Sequence, residues 1–283
     1  MESCAPKDRE RVLTGQIPFI SLQPTTILPA APVAFFEDGL DPAFGTEAWA
    51  NAVFASASAG EGWSRSRMTH RHQILIDGEY KHIEGFENLA AYALNYLAKT
   101  GQIGRWKSQP FQWQLEKDGP LRVPDFLVEL LVPPPRYLII QVKAARFLTV
   151  AIQNEFERER AAARPLGVEH VVWTDKRPLD QKARNLFFRI RNSRQYPEGE
   201  LVALVSEVEK SGSCTALQLA EKGHDPALLP IAIQQGRVFL DLRGSIHEQA
   251  IISTSPITDP REFLLCNWAD PTSWWNSLPS TKN

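Results

Sequence analysis

Apolar and polar positions along the chain fall into three stretches of different rhythm. Over residues 1–60 the apolar pieces are short and interrupted by proline, as in IPFISLQPTTILPAAPVAFF, and neither a period of two nor one of 3.6 is sustained. An extended N-terminal arm lying on the surface or on a partner is expected there. From residue 73 the pattern tightens. HQILIDGEY reads as a strand entering an Asp-Gly turn, and GFENLAAYALNYLAKTG as a helix closed by Gly101. FQWQLEKDGPLRVPDFLVELL and RYLIIQVKAA are strand-like, LTVAIQNEFERERAAARPLG is helical, and EHVVWTD ends the stretch as an apolar strand. Helix, strands, helix, strand predicts an α/β unit over residues 61–177.

The third stretch, 178–283, starts with a basic helical segment. ELVALVSEVEKSG, SCTALQLAEKG and DPALLPIAIQQG then read as three helices, and RVFLDLRGSIHEQAIIST as two strands, the order of a winged-helix-like unit. Asp225 is placed to cap the third helix, with Pro226 at its first position. In a DNA reader that helix would lie in the groove, yet it carries no Lys, Arg, Asn or His and offers only Gln234 and Gln235 at its end. Base readout by it is not expected. Its apolar face and the tail NWADPTSWWNSLPSTKN, with Trp268, Trp274 and Trp275, suit docking of partner proteins, a packed tail being the alternative.

Composition narrows the class. A chain of 283 residues with 43% hydrophobic and 23% charged residues has core material for roughly two domains. No run approaches the roughly 18 apolar residues of a spanning helix. MESCAPKDRERVL carries mixed charges where a signal peptide would be apolar, so a cytoplasmic location is expected. Cys4, Cys214 and Cys266 lack the spacing of a disulfide framework or a thiolate zinc site. No GxSxG, Walker or GxGxxG motif is present, so ATP use is not indicated.

Net charge is −2, which argues against attraction of the whole protein to nucleic acid. Its distribution differs from its sum. KRPLDQKARNLFFRIRNSR at 176–194 holds seven Lys or Arg against one Asp, and SRSRMTHRH at 64–72 holds three Arg and two His with no acid. Arg65, Arg67, Arg71, Lys182, Arg184, Arg189, Arg191 and Arg194 are candidate phosphate contacts, with a solvated face as the other reading. His70 and His72 lack a third ligand at zinc spacing.

One hairpin asks for chemistry. RVPDFLVELLVPPPRYLIIQVKAAR joins two apolar strands by a run of prolines, yet it carries Asp125, Gln141 and Lys143. Side chains alternate across a strand, so Gln141 and Lys143 share a face. A turn centred near Pro134 sets Asp125 opposite Lys143, with Gln141 one diagonal step away; a different centre changes the pairing but not the clustering. Two readings of the cluster stay open. One is a cross-strand ion pair; the other is a hard divalent cation held by Asp125 with the Gln141 amide oxygen or the Val142 carbonyl, beside a phosphodiester whose growing charge Lys143 stabilises.

PDFLVELL followed by IIQVK resembles the PD-(D/E)xK nuclease signature in its Q-x-K variant, and within that superfamily the stretch 73–175 is similar to TnsA, the endonuclease subunit of heteromeric transposases. The resemblance rests on an ordered set: a helical Glu in HIEGFENLAAYAL, Gln-Pro in SQPFQW, Asp125, then Gln141 and Lys143. It implies a restriction-endonuclease-like nuclease domain with a C-terminal winged helix. It also implies catalysis by Glu87, Asp125, Gln141 and Lys143, with Mg²⁺ (or Mn²⁺) at Glu87, Asp125, Gln141 and Val142. Glu84 and Glu87 both qualify as the helical carboxylate; Glu87 shares its helix face with Ala90, Ala91, Leu94 and Ala98, the side expected on the sheet. By the same resemblance the chain is bacterial and cuts the 5′ ends of a transposon. Its partners are then the transposon-end DNA, a DDE transposase (TnsB-like) and an AAA+ regulator (TnsC-like). A stand-alone restriction or repair nuclease and a non-catalytic transposition assembly module are the alternatives.

Overall fold

Two apolar runs, FLVE and YLIIQV, turn alternate side chains into two different cores and so form the centre of the molecule. The computed structural model describes residues 33–35, 43–59, 71–76, 79–84, 87–114, 120–176, 178–179, 185, 197–241, 247–257 and 259–267. In chain order these hold β1 (Val33–Phe35), α1 (Glu47–Ala55), β2 (Arg71–Ile76), β3 (Glu79–Glu84), α2 (Glu87–Lys99), β4 (Trp106–Ser108), β5 (Gln112–Gln114) and β6 (Phe126–Glu129). There follow β7 (Tyr137–Val142), α3 (Val150–Ala163), β8 (Val168–Trp173), α4 (Glu198–Ser211), β9 (Ser213–Thr215), α5 (Ala216–Glu221), α6 (Leu228–Gln234), β10 (Phe239–Leu240), β11 (Ile251–Ser253) and α7 (Pro260–Leu264). The chain is α/β. Among the described residues no helix is long and apolar enough to cross a membrane.

The main sheet has the order β4-β6-β7-β8, antiparallel except for the parallel pair β7 and β8. On one face Phe126, Val128, Leu138 and Ile140 pack with α2, whose Ala90, Ala91 and Ala93 let the helix backbone approach the sheet closely. On the other face Leu127, Tyr137 and Ile139 pack with Trp49, Phe111, Trp113 and Ala163. Each large side chain so buried contributes roughly 1.5–3 kcal/mol. The helix α2 stops where Gly101 takes a φ of +66°, a backbone conformation that favours glycine.

Within the stretch expected as an extended arm, residues 47–55 instead form α1. Thr46 caps it by accepting from the Trp49 N–H, and Trp49, Ala50 and Val53 are buried in the second core. Lys107 of β4, itself buried, closes the other end: its ammonium donates to the Val53 carbonyl at 2.6 Å, to the Ser56 carbonyl and to Ser56 Oγ at 3.0 Å. Helix-end carbonyls that would otherwise lose water are thereby satisfied. The residues just before α1 also pack tightly, because a Cβ on Gly45 would lie 2.7 Å from the Leu166 carbonyl oxygen and 2.8 Å from Val168 Cγ2.

The C-terminal elements are helix, strand, helix, helix, strand, strand, with the three strands paired in the order β10-β11-β9. The expected cap is displaced: α6 begins at Leu228 with Ala227 at its N-cap and no side-chain cap, so Asp225 and Pro226 stand ahead of the helix, where the Asp225 carboxylate accepts from the Ala227 N–H at 2.8 Å. The apolar face of α6 is not a free docking surface: Leu228, Leu229, Ile231, Ala232 and Ile233 are all buried within the chain, in a cluster continuous with α2 and the main sheet. At the C-terminus, α7 covers β8. Phe263 lies edge-on to Trp173 at 5.1 Å, the Trp173 Nε1–H donates to the Leu264 carbonyl, and the Asn267 side-chain oxygen accepts from the Val172 N–H.

Candidate active site

The hairpin register decides which polar groups meet. Phe126 pairs with Ile140 and Glu129 with Tyr137, so the step before β6 sets Asp125 opposite Gln141 rather than Lys143. The turn centre is thus one residue earlier than expected near Pro134, which changes the pairing and keeps the cluster. Asp125 Oδ2 accepts from the Gln141 Nε2 amide at 2.7 Å and from the Val142 N–H at 2.6 Å. Two donors on one oxygen fix the carboxylate plane. Lys143 follows on the same face, its backbone N–H donating to the Trp173 carbonyl at 2.9 Å.

These side chains open into a cavity of about 410 Å³ at the end of the sheet, and Glu87, Gln109, Asp125, Gln141 and Lys143 all line it. Glu87 gets there as the first residue of α2, where the positive end of the helix dipole stabilises a carboxylate. Glu84 is not on that helix; it is the last residue of β3. Gln109, ahead of Pro110, takes a φ of +46°, which is costly for a residue with a Cβ. Two hydrogen bonds hold it there: its N–H donates to the Asp125 carbonyl and its carbonyl accepts from the Ala59 N–H, both at 2.8 Å.

The cavity wall contributed by α3 was not anticipated from sequence. Arg122 contacts Glu155 at 2.8 Å and Glu159 at 3.6 Å, and Glu159 in turn lies 3.5 Å from His170 Nε2. Glu159 and His170 are each 1% exposed. Burial pushes the Glu159 carboxyl up to about 7, with Arg122 opposing. Burial pushes the His170 imidazole down to about 3, the nearby Arg160 adding to the effect while a hydrogen bond to the Phe156 backbone opposes it. At neutral pH His170 is therefore uncharged. A sequence signal for Glu159 exists: it sits three residues after Phe156 and four before Ala163, the buried stripe of α3.

Among the described residues the lining holds four carboxylates (Glu87, Asp125, Glu155, Glu159) against two bases (Arg122, Lys143), a formal balance of −2 when all are ionised. Such a site repels an anion and attracts a cation. Its oxygen donors suit a hard divalent ion, with Asp125 and Glu87 as charged ligands and the Gln141 amide as a neutral one; Val142, the other expected ligand, is not among the lining residues and meets Asp125 through its N–H. Among the described residues no group of three or more His, Cys, Asp or Glu stands at metal-holding spacing, so two carboxylates with neutral oxygens is the set available.

Arg65, Arg67, Lys182, Arg184, Arg189, Arg191 and Arg194 lie outside the described residues, as do His70, Trp268, Trp274 and Trp275. Arg71 and His72 are the first two residues of β2. No known protein-family profile matches the chain, and no curated protein matches it.

Proposed function

We propose that this chain is a metal-dependent DNA endonuclease that hydrolyses a phosphodiester in the Asp125 cavity, acting as a TnsA-like subunit of a heteromeric transposase. The observation that carries the reading is the convergence of Glu87, Asp125, Gln141 and Lys143 on one cavity, with Asp125 held by Gln141 and Val142. The register sets Asp125 opposite Gln141, with Lys143 on the same face of the hairpin.

Asp125 and Glu87 would hold Mg²⁺ (or Mn²⁺), with the Gln141 amide as a further oxygen. When bound, such an ion would polarise the phosphoryl group, ease deprotonation of the attacking water and offset the negative charge of the cavity's carboxylates. Gln141 and the Val142 N–H keep the Asp125 carboxylate in one orientation, so little reorganisation accompanies the reaction. Lys143 stabilises the charge that grows on the phosphoryl oxygens as water adds to phosphorus and the bond to one sugar oxygen breaks.

The C-terminal order of helix, strand, helix, helix, strand, strand supports a winged-helix unit in this reading. With α6 buried, that unit is an assembly module and not a base reader. The basic segment around Lys182 and Arg189 supplies phosphate contacts, while a DDE transposase and an AAA+ regulator are the partners. Two assays on the isolated chain test the enzymatic core. Mn²⁺ titration followed by electron paramagnetic resonance should show a site that Asp125→Ala removes and Glu87→Ala weakens. Plasmid nicking by the isolated chain would favour a stand-alone nuclease over a transposase subunit, and a wild type that binds no Mn²⁺ would overturn the metal-dependent reading.

A further inference from the structure

The cavity wall holds a group that the proposed hydrolysis leaves unused. Arg122 is fixed from its backbone, which exchanges two hydrogen bonds of 2.9 Å with Trp113. Its guanidinium reaches across to α3, where Glu155 lies 2.8 Å and Glu159 3.6 Å away. On the far side of Glu159 stands His170, whose buried Nε2 has no hydrogen-bond partner among the described residues. A strut tying the hairpin to α3 needs only the outer carboxylate, Glu155. The buried Glu159 adds a desolvation cost, and what it adds in return is orientation of the planar guanidinium fork. With both carboxylates engaged, the Arg122 side chain is still 31% exposed and lines the cavity, and a guanidinium has five N–H donors to place. Four carboxylates line the same space, so among the described residues Arg122 and Lys143 are the cations that an entering anion meets there.

We propose that Arg122 is a second phosphodiester-binding residue of this cavity, held by Glu155 and Glu159 so that its remaining N–H donors meet a non-bridging phosphate oxygen of the DNA strand. This rests on the phosphodiester reading above and adds a substrate contact to it. In that role Arg122 orients the strand against Asp125 and Lys143, while Glu159 and His170 act only through it.

The test is binding of a short DNA duplex as a function of KCl, with Ca²⁺ replacing Mg²⁺ to prevent turnover. One phosphate contact contributes about 0.9 to the slope of log affinity against log salt. Arg122→Ala is expected to lower the slope by about that amount, and Arg122→Lys to restore it, with thermal melting showing that both variants fold. A folded Arg122→Ala with an unchanged slope overturns the proposal and leaves Arg122 a structural tie. Should the alanine variant not fold, Arg122→Gln, which keeps an amide within reach of Glu155, is read by the same two outcomes. A wild type that binds no DNA overturns the phosphodiester reading and this inference together; wild-type cleavage with an unchanged variant slope overturns this inference alone.

Discussion

Glu159 and His170 make a prediction about stability against pH that Glu159→Gln isolates. Glu159 is raised from 4.5 to about 7, so the stability it adds is fully present below 4.5 and is lost as pH rises through 7. His170 is lowered from 6.5 to about 3, so its contribution is present above 6.5 and is lost as pH falls toward 3. Between 4.5 and 6.5 the native pair holds one proton, on Glu159, and the unfolded chain also holds one, on His170. The pair then adds no slope in that window. Glu159→Gln keeps an amide donor toward His170 Nε2 and removes the titrating carboxyl, so only the His170 dependence remains. Relative to wild type the variant should lose about 1.4 kcal/mol per pH unit below 6.5, on the order of 2–3 kcal/mol by pH 4.5. Urea unfolding followed by tryptophan fluorescence at the two ends of the window measures the difference directly, and carboxylates common to both proteins cancel. Curves that stay parallel across the window would refute the argument, because the pair would then not share a single proton.

Three further changes test packing. Gly45→Ala should cost about 2 kcal/mol or more, since a Cβ at φ +76° meets the Leu166 carbonyl oxygen at 2.7 Å; an unchanged melting temperature would contradict the contact. Lys107→Met should cost about 2–3 kcal/mol in urea unfolding by stranding the Val53 and Ser56 carbonyls, and its hydrogen exchange should rise first at the end of α1. Asn267→Ala leaves the Val172 N–H without its acceptor and should cost about 1–2 kcal/mol, with near-ultraviolet circular dichroism reporting the loosened Trp173; no change in either would mean that α7 is not seated on β8.

Periodicity made α2, β7, α3 and β8 readable, because each is long enough to repeat its own pattern. The helix α1 was not: its buried set of Trp49, Ala50 and Val53 is carried by a single short run that follows a proline-rich segment. The hairpin register slipped by one because three consecutive prolines do not say where a turn is centred, yet the cluster was insensitive to the slip. Asp125, Gln141 and Lys143 were legible as polar groups where apolar ones belong. Glu159 was hidden for the opposite reason, since FERER reads as a solvated charged face unless its spacing to Phe156 and Ala163 is weighed. Arg122 gave no signal at all, because its partners lie on another element. Glu84 was plausible as a helix residue only while the start of α2 was unknown.

Cleavage of the 5′ strand at a transposon end, in a reaction reconstituted with the proposed partners, a DDE transposase and an AAA+ regulator, tests the central claim most directly. Wild type with Mg²⁺ should cut. Asp125→Ala and Lys143→Ala should assemble normally and leave that strand intact, and Glu87→Ala should lose cutting where Glu84→Ala does not. Wild-type cutting by Asp125→Ala would contradict the account, for then the carboxylate held by Gln141 and Val142 takes no part in the chemistry.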